Sequence, residues 1–375
     1  MTSCHGLTGD LLSTATPRRS VRQRIRPSQD AVAVERPGVF AAADPLYHFT
    51  MSHEARVAAE LELLEDKAGF VPLADAGLVR VSGAGHRDVL QRVLSQDLRP
   101  LLPGRGCLAL LLAPKGQFRA IMGVFAGPDV TVLMAPTGKG GELAAALHKY
   151  LALSRCEARP VPDAGGATAV VGAGWSHHAA ALGANAGILS DGGWHEGTVG
   201  GRTVSWFGRS LLGVPGAVVA GGGEDARKRL LHRGVHALLP ETVELARIRR
   251  GVPAWGTELT ETVLPPEVGI DEATVSYSKG CYIGQETMAR MKTFGHPTRV
   301  LVGVRQLIGE PASPELPVPL ARAGEGKVRG TLTSWGWHPE LGGVGLALVR
   351  LELAVAGTLV AGAGREFEVA GFPLW

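Results

Sequence analysis

The chain has 375 residues, 45% of them hydrophobic, and a formal net charge of +3 from 38 Lys/Arg against 35 Asp/Glu. That length accommodates two or three domains with a real core, and the near-balance of charge argues against a nucleic-acid partner. Glycine (52) and proline (24) are abundant but fall between apolar runs, which predicts a turn-rich folded protein.

Residues 1–50 hold six arginines and four acids, and 1–45 reads as a disordered extension. Thr16-Pro17-Arg18-Arg19-Ser20 has the arginine pair of an export signal but no apolar stretch after it. The first folded element is a helix over Glu54–Glu65, capped by Ser52, with Val57, Leu61 and Leu64 on one face. A strand over Leu78–Ser82 runs through Gly83-Ala84-Gly85 into a helix containing Leu90 and Leu94. These glycines fit a tight turn better than a nucleotide fingerprint, because Asp88 stands where a third glycine is needed. Cys107–Ala113 and Phe118–Phe125 form a hairpin around Pro114-Lys115-Gly116, followed by a strand at Val130–Ala135 and a helix over Glu142–Leu153.

Strands near Thr168–Gly172, Arg202–Trp206 and Val214–Ala220 and helices near His177–Leu182 and Ala226–Arg233 follow without βαβ spacing, which favours an α+β fold. Pro240 opens a helix with Glu241 and Glu244 in its first turn, Arg247, Arg249 and Arg250 in its last, and Gly251 beyond its end. Thr274-Val275-Ser276-Tyr277 alternates like a strand, and a helix is expected after Gly284. Beyond Pro297, short runs such as Val300–Val304, Gly326–Ser334, Gly343–Val349 and Phe367–Val369 predict a small antiparallel barrel, with Trp335 and Trp337 on one of its loops. The expected division is 46–154 and 155–239 as two α+β domains, 240–296 as a central segment packing back on the first, and 297–375 as the barrel.

The cysteines Cys4, Cys107, Cys156 and Cys281 are widely spaced, so they define neither a disulfide framework nor a metal-ligand set. No metal site and no resident iron–sulfur cluster is expected, since a cluster takes about four thiolates. A reducing, cytoplasmic compartment is the expectation. Residues 164–190 lack charges but hold His177, His178 and Asn185, too polar for a membrane span. The His177-His178 pair lacks a ligand partner one turn away and reads as a surface pair.

The chemistry concentrates in Lys279-Gly280-Cys281-Tyr282-Ile283-Gly284-Gln285-Glu286. A cysteine before a helix N-terminus, near a lysine, has its thiolate favoured. Cys281 and Lys279 are therefore the candidate catalytic pair. Gln285 and Glu286 match the donor–acceptor edge of a pterin, and Tyr282 offers a stacking face. Each residue also has a plain structural use: a buried thiol, a helix cap, a Glu286–Arg290 pair at i,i+4.

As a contiguous block, these residues resemble the signature of the YgfZ-type folate-binding proteins, relatives of the glycine-cleavage T-protein (GcvT) aminomethyltransferases that support iron–sulfur cluster maturation. Arg247 to Leu259, with its Gly-x-Pro and Gly-x-Glu-Leu, is similar to the segment upstream of that signature. Leu78–Gly83, Pro114-Lys115-Gly116 and Gly326–Ser334 resemble the first domain and the barrel. The resemblance implies a three-domain cloverleaf with a C-terminal antiparallel β-barrel, binding tetrahydrofolate in a central channel. It implies Arg247, Glu258, Tyr282, Gln285, Glu286 and Arg290 as cofactor-binding residues. It implies iron–sulfur client enzymes or cluster carriers as partners, with no membrane or nucleic acid, and a monomer is expected. The T-proteins carry an aspartate after the glycine of the first hairpin and a Gly-aromatic-Glu in the second domain. Gln117-Phe118-Arg119-Ala120 and Gly213-Val214-Pro215-Gly216 carry neither acid, so proton transfer lacks its agent. A folate-binding role in cluster assembly or repair is thus favoured; the alternatives are a tetrahydrofolate-dependent aminomethyltransferase or demethylase and a scaffold without chemistry.

Overall fold

Ser52 starts the first helix as expected. Its Oγ accepts the Ala55 N–H at 3.2 Å, and α1 (His53–Asp66) buries Val57, Leu61 and Leu64 on one stripe. The computed structural model describes residues 51–375 except 163–164, 191, 211 and 311; the extension expected over 1–45, with Cys4, lies outside them. One carboxylate of α1 is buried with that stripe. Glu60 accepts the Leu239 N–H at 2.8 Å and the Thr242 hydroxyl at 2.6 Å, so it sits at the positive end of α7 (Pro240–Arg249).

Three β structures organise the rest. One sheet has the order β3 (Gly106–Leu112), β4 (Phe118–Ala126), β5 (Thr131–Met134), β2 (Leu78–Ser82), β6 (Glu157–Pro160). A second runs β1 (Gly69–Leu73), β7 (Ala167–Val171), β10 (Gly216–Ala220), β9 (Arg202–Gly208), β8 (Trp194–Val199). The chain therefore exchanges strands. β1 leaves the first segment to pair with β7, Phe70 opposite Val170, while β6 returns to pair with β2, Val81 opposite Ala158. Both exchanged strands escape the sequence reading because each is short and β1 carries Pro72, a residue of sheet edges. The third structure is a closed barrel in the order β11 (Arg299–Ile308), β14 (Gly342–Arg350), β13 (Val328–His338), β12 (Val318–Arg322), β15 (Leu359–Gly362), β16 (Arg365–Ala370). Closure leaves it without a free edge. Trp335 and Trp337 lie within β13, not on a loop; the ring of Trp335 packs edge-on against Phe367.

Where the three meet, α7 is the keystone. It buries Leu245, Ala246 and Ile248 in a core shared with Val57 and Leu64 of α1, Val171 and Val218 of the second sheet, and Val344 and Leu346 of the barrel. Its end is enforced sterically: Gly251 has φ 66°, and a Cβ there would lie 2.6 Å from the Phe372 ring. Beyond α7 the chain forms a short helix α8 (Asp271–Thr274) and then α9 (Gln285–Phe294). The strand expected over Thr274–Tyr277 is absent. Tyr277 instead closes back on Asp271 through a 2.5 Å hydrogen bond, and the Ser276 N–H donates to the Ser95 carbonyl.

Candidate functional site

The signature block wraps the first sheet. Lys279 is buried, and its Nζ donates to the carbonyls of Gln91 (2.6 Å), Leu94 (2.8 Å) and Gln96 (2.8 Å). These acceptors lie at and just past the end of α2 (His86–Val93), so the ammonium caps the negative end of that helix. Burial pushes its pKa down to about 8, and the neighbouring thiol that feels its charge is Cys107. Lys279 is thus a clamp between segments: all three of its donors meet backbone oxygens, and none is directed at Cys281, its expected catalytic partner. Cys281 itself is exposed.

Tyr282 is buried among Leu110, Leu112, Phe118 and Leu259, so its ring packs in the core and offers no open stacking face. Its hydroxyl is buried with no hydrogen-bond partner among the described residues, and burial pushes the phenol pKa up to about 12. Gly284 takes φ 83° to start α9, and a Cβ there would lie 2.6 Å from the Ala113 carbonyl. The turn of the signature therefore presses on the β3–β4 hairpin. Gln285 reaches back to the Lys279 carbonyl at 3.4 Å, and Glu286 pairs with Arg290 at 2.7 Å on the solvent face, the two side chains 83% and 71% exposed. Of the residues expected at a pterin edge, Glu286 and Arg290 thus form an exposed i,i+4 pair and Gln285 a backbone tie.

Arg247 and Glu258 are a closed unit. Arg247 donates to Glu258 at 3.0 Å, to Glu244 at 3.0 and 2.5 Å, to the Val252 carbonyl at 2.7 Å and to the Ser334 hydroxyl at 2.5 Å. Glu258, with a fully buried side chain, also accepts the Ala254 N–H at 2.9 Å and the hydroxyls of Thr333 and Ser334 at 2.7 and 2.6 Å. The donors and acceptors of both groups are filled by protein, and they tie α7 and the 250s segment to the barrel; that is where the structure places the two residues expected to grip folate.

The open chemistry lies on the other side of that core. A cavity of about 620 Å³ is walled by Leu112, Phe118 and Leu259, which share a core with Tyr282, and by the aromatic side chains of Trp255 and Tyr150. Phe118 meets Trp255 edge-on at 5.5 Å and holds the indole upright. Tyr150 belongs to α3 (Gly140–Leu151), as do Glu142 and Lys149. Lys139 Nζ lies 5.8 Å from the Trp255 ring centroid and 2.6 Å from Glu142, while Lys149 Nζ lies 4.8 Å from the Tyr150 centroid. Arg119, from the hairpin, pairs with Glu261 across the cavity wall. None of Trp255, Tyr150, Glu142, Lys149, Arg119 or Glu261 was singled out by sequence pattern as a site residue. They converge only because α3 and the 255–261 segment both pack on the hairpin, and no spacing in the chain encodes that.

This architecture is that of the aminomethyltransferase T-proteins. The structure matches the glycine cleavage system aminomethyltransferase T from Bartonella henselae with a TM-score of 0.71 at 20% identity, covering 84% of this chain and 89% of that one. The chain has the T-protein-like α+β fold with its closed antiparallel barrel. In sequence it is 25% identical over 311 residues to a chloroplastic protein of Arabidopsis thaliana named as a transferase, covering 80% of this chain and 69% of that protein. Over 56 residues it is 52% identical to an iron–sulfur cluster assembly factor, a mitochondrial IBA57 homolog of Eremothecium gossypii, a stretch that spans 14% of this chain and 12% of that one. No protein-family model matches the chain. Among the described residues no helix is long and apolar enough to cross a membrane.

Proposed function

We propose that this protein binds a tetrahydrofolate in the Trp255–Tyr150 cavity and assists iron–sulfur cluster assembly or repair in client enzymes. The cavity carries the folate half of the reading. At about 620 Å³ it falls within the size range of small-molecule sites. Its residues suit the parts of a reduced folate: indole and phenol faces for flat rings, Glu142 and Glu261 as acceptors for an amino-pyrimidine edge, Lys149 and Arg119 for carboxylates. Bound there, the folate would supply a one-carbon carrier. The chain's own part is to orient it: Arg119, the cation that the hairpin places in the cavity wall, offers planar donors that hold a carboxylate in place.

The cluster-maturation half is supported by the similarity to the assembly factor and by the exposed Cys281, which a client or carrier protein can reach. Free thiols at Cys107, Cys156 and Cys281 suit a reducing, cytoplasm-like compartment. Titration of the protein with a reduced folate, followed by tryptophan fluorescence, tests the first half. Saturable binding is expected, weakened at least about tenfold (~1.4 kcal/mol) by Trp255→Ala; absence of saturable binding overturns it. For the second half, a deletion strain assayed for cluster-dependent enzymes is expected to be rescued by wild type and poorly by Cys281→Ala. Equal rescue favours a scaffold. The transferase alternative is kept by the carboxylates of Glu142 and Glu261 in the cavity wall; turnover of a lipoyl-bound aminomethyl donor, lost in Glu142→Gln or Glu261→Gln, would establish it.

A further inference from the structure

A second cavity, of about 380 Å³, shares no lining residue with the first, although both use the same hairpin. Lys115 and Gln117 line it from the hairpin, Thr262, Leu264 and Glu267 from the following segment, and Thr298, Arg299 and Arg350 from the barrel. Its position is fixed by the Phe118 N–H donating to the Val263 carbonyl at 2.9 Å, which ties the hairpin to that segment.

The charge arrangement is unusual for a bare surface. Arg299 on β11 and Arg350 on β14 are directly opposite across the barrel ladder, a like-charge pairing that is destabilising by itself. Arg299 is neutralised: Nε and Nη2 each meet a Glu267 oxygen at 2.9 Å, and Nη2 also donates to the Thr262 carbonyl at 3.1 Å. Glu267 is buried, and its second oxygen also takes the Leu264 N–H at 2.9 Å, so the one carboxylate in the wall is consumed. Arg350 has no carboxylate within ion-pair distance among the described residues; Glu352, whose field it shares, is bound by Arg329. Lys115 likewise has no acid partner among them. Two cations without an ion-pair contact among the described residues therefore share a cavity with two hydroxyls, one amide and a single apolar side chain, Leu264.

We propose that this cavity is a binding site for a small dianion, a phosphate group or a compact dicarboxylate, held between Arg350 and Lys115 with hydrogen bonds from Thr262, Thr298 and Gln117. Arg350 gains the counter-charge that its cross-strand neighbour already has, and the polar walls exclude the flat, apolar parts of a folate. The site does not depend on the folate reading.

Calorimetric titration of the whole chain at low ionic strength, with inorganic phosphate and separately with malonate, tests this. Saturable binding of at least one is expected, weakened about tenfold or more by Arg350→Gln and by Lys115→Gln. Binding of phosphate alone assigns a phosphate group; binding of malonate alone assigns a dicarboxylate. Because both side chains are exposed, the variants should fold. Without added anion, Arg350→Gln should melt no lower than wild type, since a repulsion is removed; with anion only the wild type should gain in Tm. No saturable binding, or binding indifferent to both substitutions, overturns the proposal. So does competition between phosphate and a reduced folate, which would make the cavity part of the folate site.

Discussion

Two arginine–glutamate pairs anchor the stretch from Arg247 to Glu261, and they differ chiefly in their access to water. Arg247–Glu258 is sealed, with side chains 10% and 0% exposed, and is encased by backbone groups and by the hydroxyls of Thr333 and Ser334. Arg119–Glu261 lies open, at 44% and 72%, on the rim of the larger cavity. The sealed pair holds structure, and exchanging Glu258 for a ligand would first require breaking its buried hydrogen bonds. The open pair can part at small cost and is free to serve a ligand. The family resemblance includes the sealed pair among the expected folate-binding residues, since a motif marks where residues recur and does not carry their exposure.

Four measurements sharpen this contrast. Glu258→Gln should lower unfolding free energy by about 3–4 kcal/mol in denaturant titrations: Arg247 keeps Glu244, but an amide group replaces half of a buried carboxylate that accepts from Arg247, Ala254, Thr333 and Ser334. A loss under ~1 kcal/mol would show that the pair is solvated. Lys279→Met, which leaves three carbonyls without their donor, should cost about 3 kcal/mol by the same titration while leaving folate affinity unchanged. Cys107 gives the next effect. Burial pushes its thiol up to about 11 from the usual 9.0. The folded chain therefore keeps a proton that the unfolded chain loses between those values. Its contribution is complete below about pH 9 and declines as pH rises through 11. The stability difference between wild type and Cys107→Ala should fall by about 2–3 kcal/mol over that window; a flat difference would place the thiol in water. Glu261→Gln should change stability by no more than ~1 kcal/mol, and any larger effect of it should be on folate affinity.

The helices with chemical punctuation were legible in advance. Ser52 at the start of α1 and Gly251 at the end of α7 act through local geometry that a short window contains. The hairpin at Pro114-Lys115-Gly116 and the barrel character after Pro297 were legible for the same reason. What stayed hidden depends on distant partners. Lys279 reads as an ally of Cys281 because they are two residues apart, yet its acceptors lie 183 to 188 residues away. The alternation over Thr274–Tyr277 was overruled by the turn of α8, by the Ser276 N–H bond to Ser95 and by the Tyr277 bond to Asp271. Glu142 and Glu261 supply the cavity with the carboxylates that the hairpin lacks, from elements that no motif connects.

The strand exchange has a consequence for how the polypeptide endures damage. Between Pro160, the last residue of β6, and Ala167, the first of β7, the chain passes from one sheet to the other. A protease cutting there would create two fragments still joined through the second sheet: the N-terminal piece completes the first sheet by itself with β6, yet keeps β1 beside β7 of the C-terminal piece. Separation would require stripping β1 from the ladder, five residue pairs from Gly69–Val171 to Leu73–Ala167. A nicked molecule should therefore run as two bands in denaturing gels yet elute as one species in native buffer.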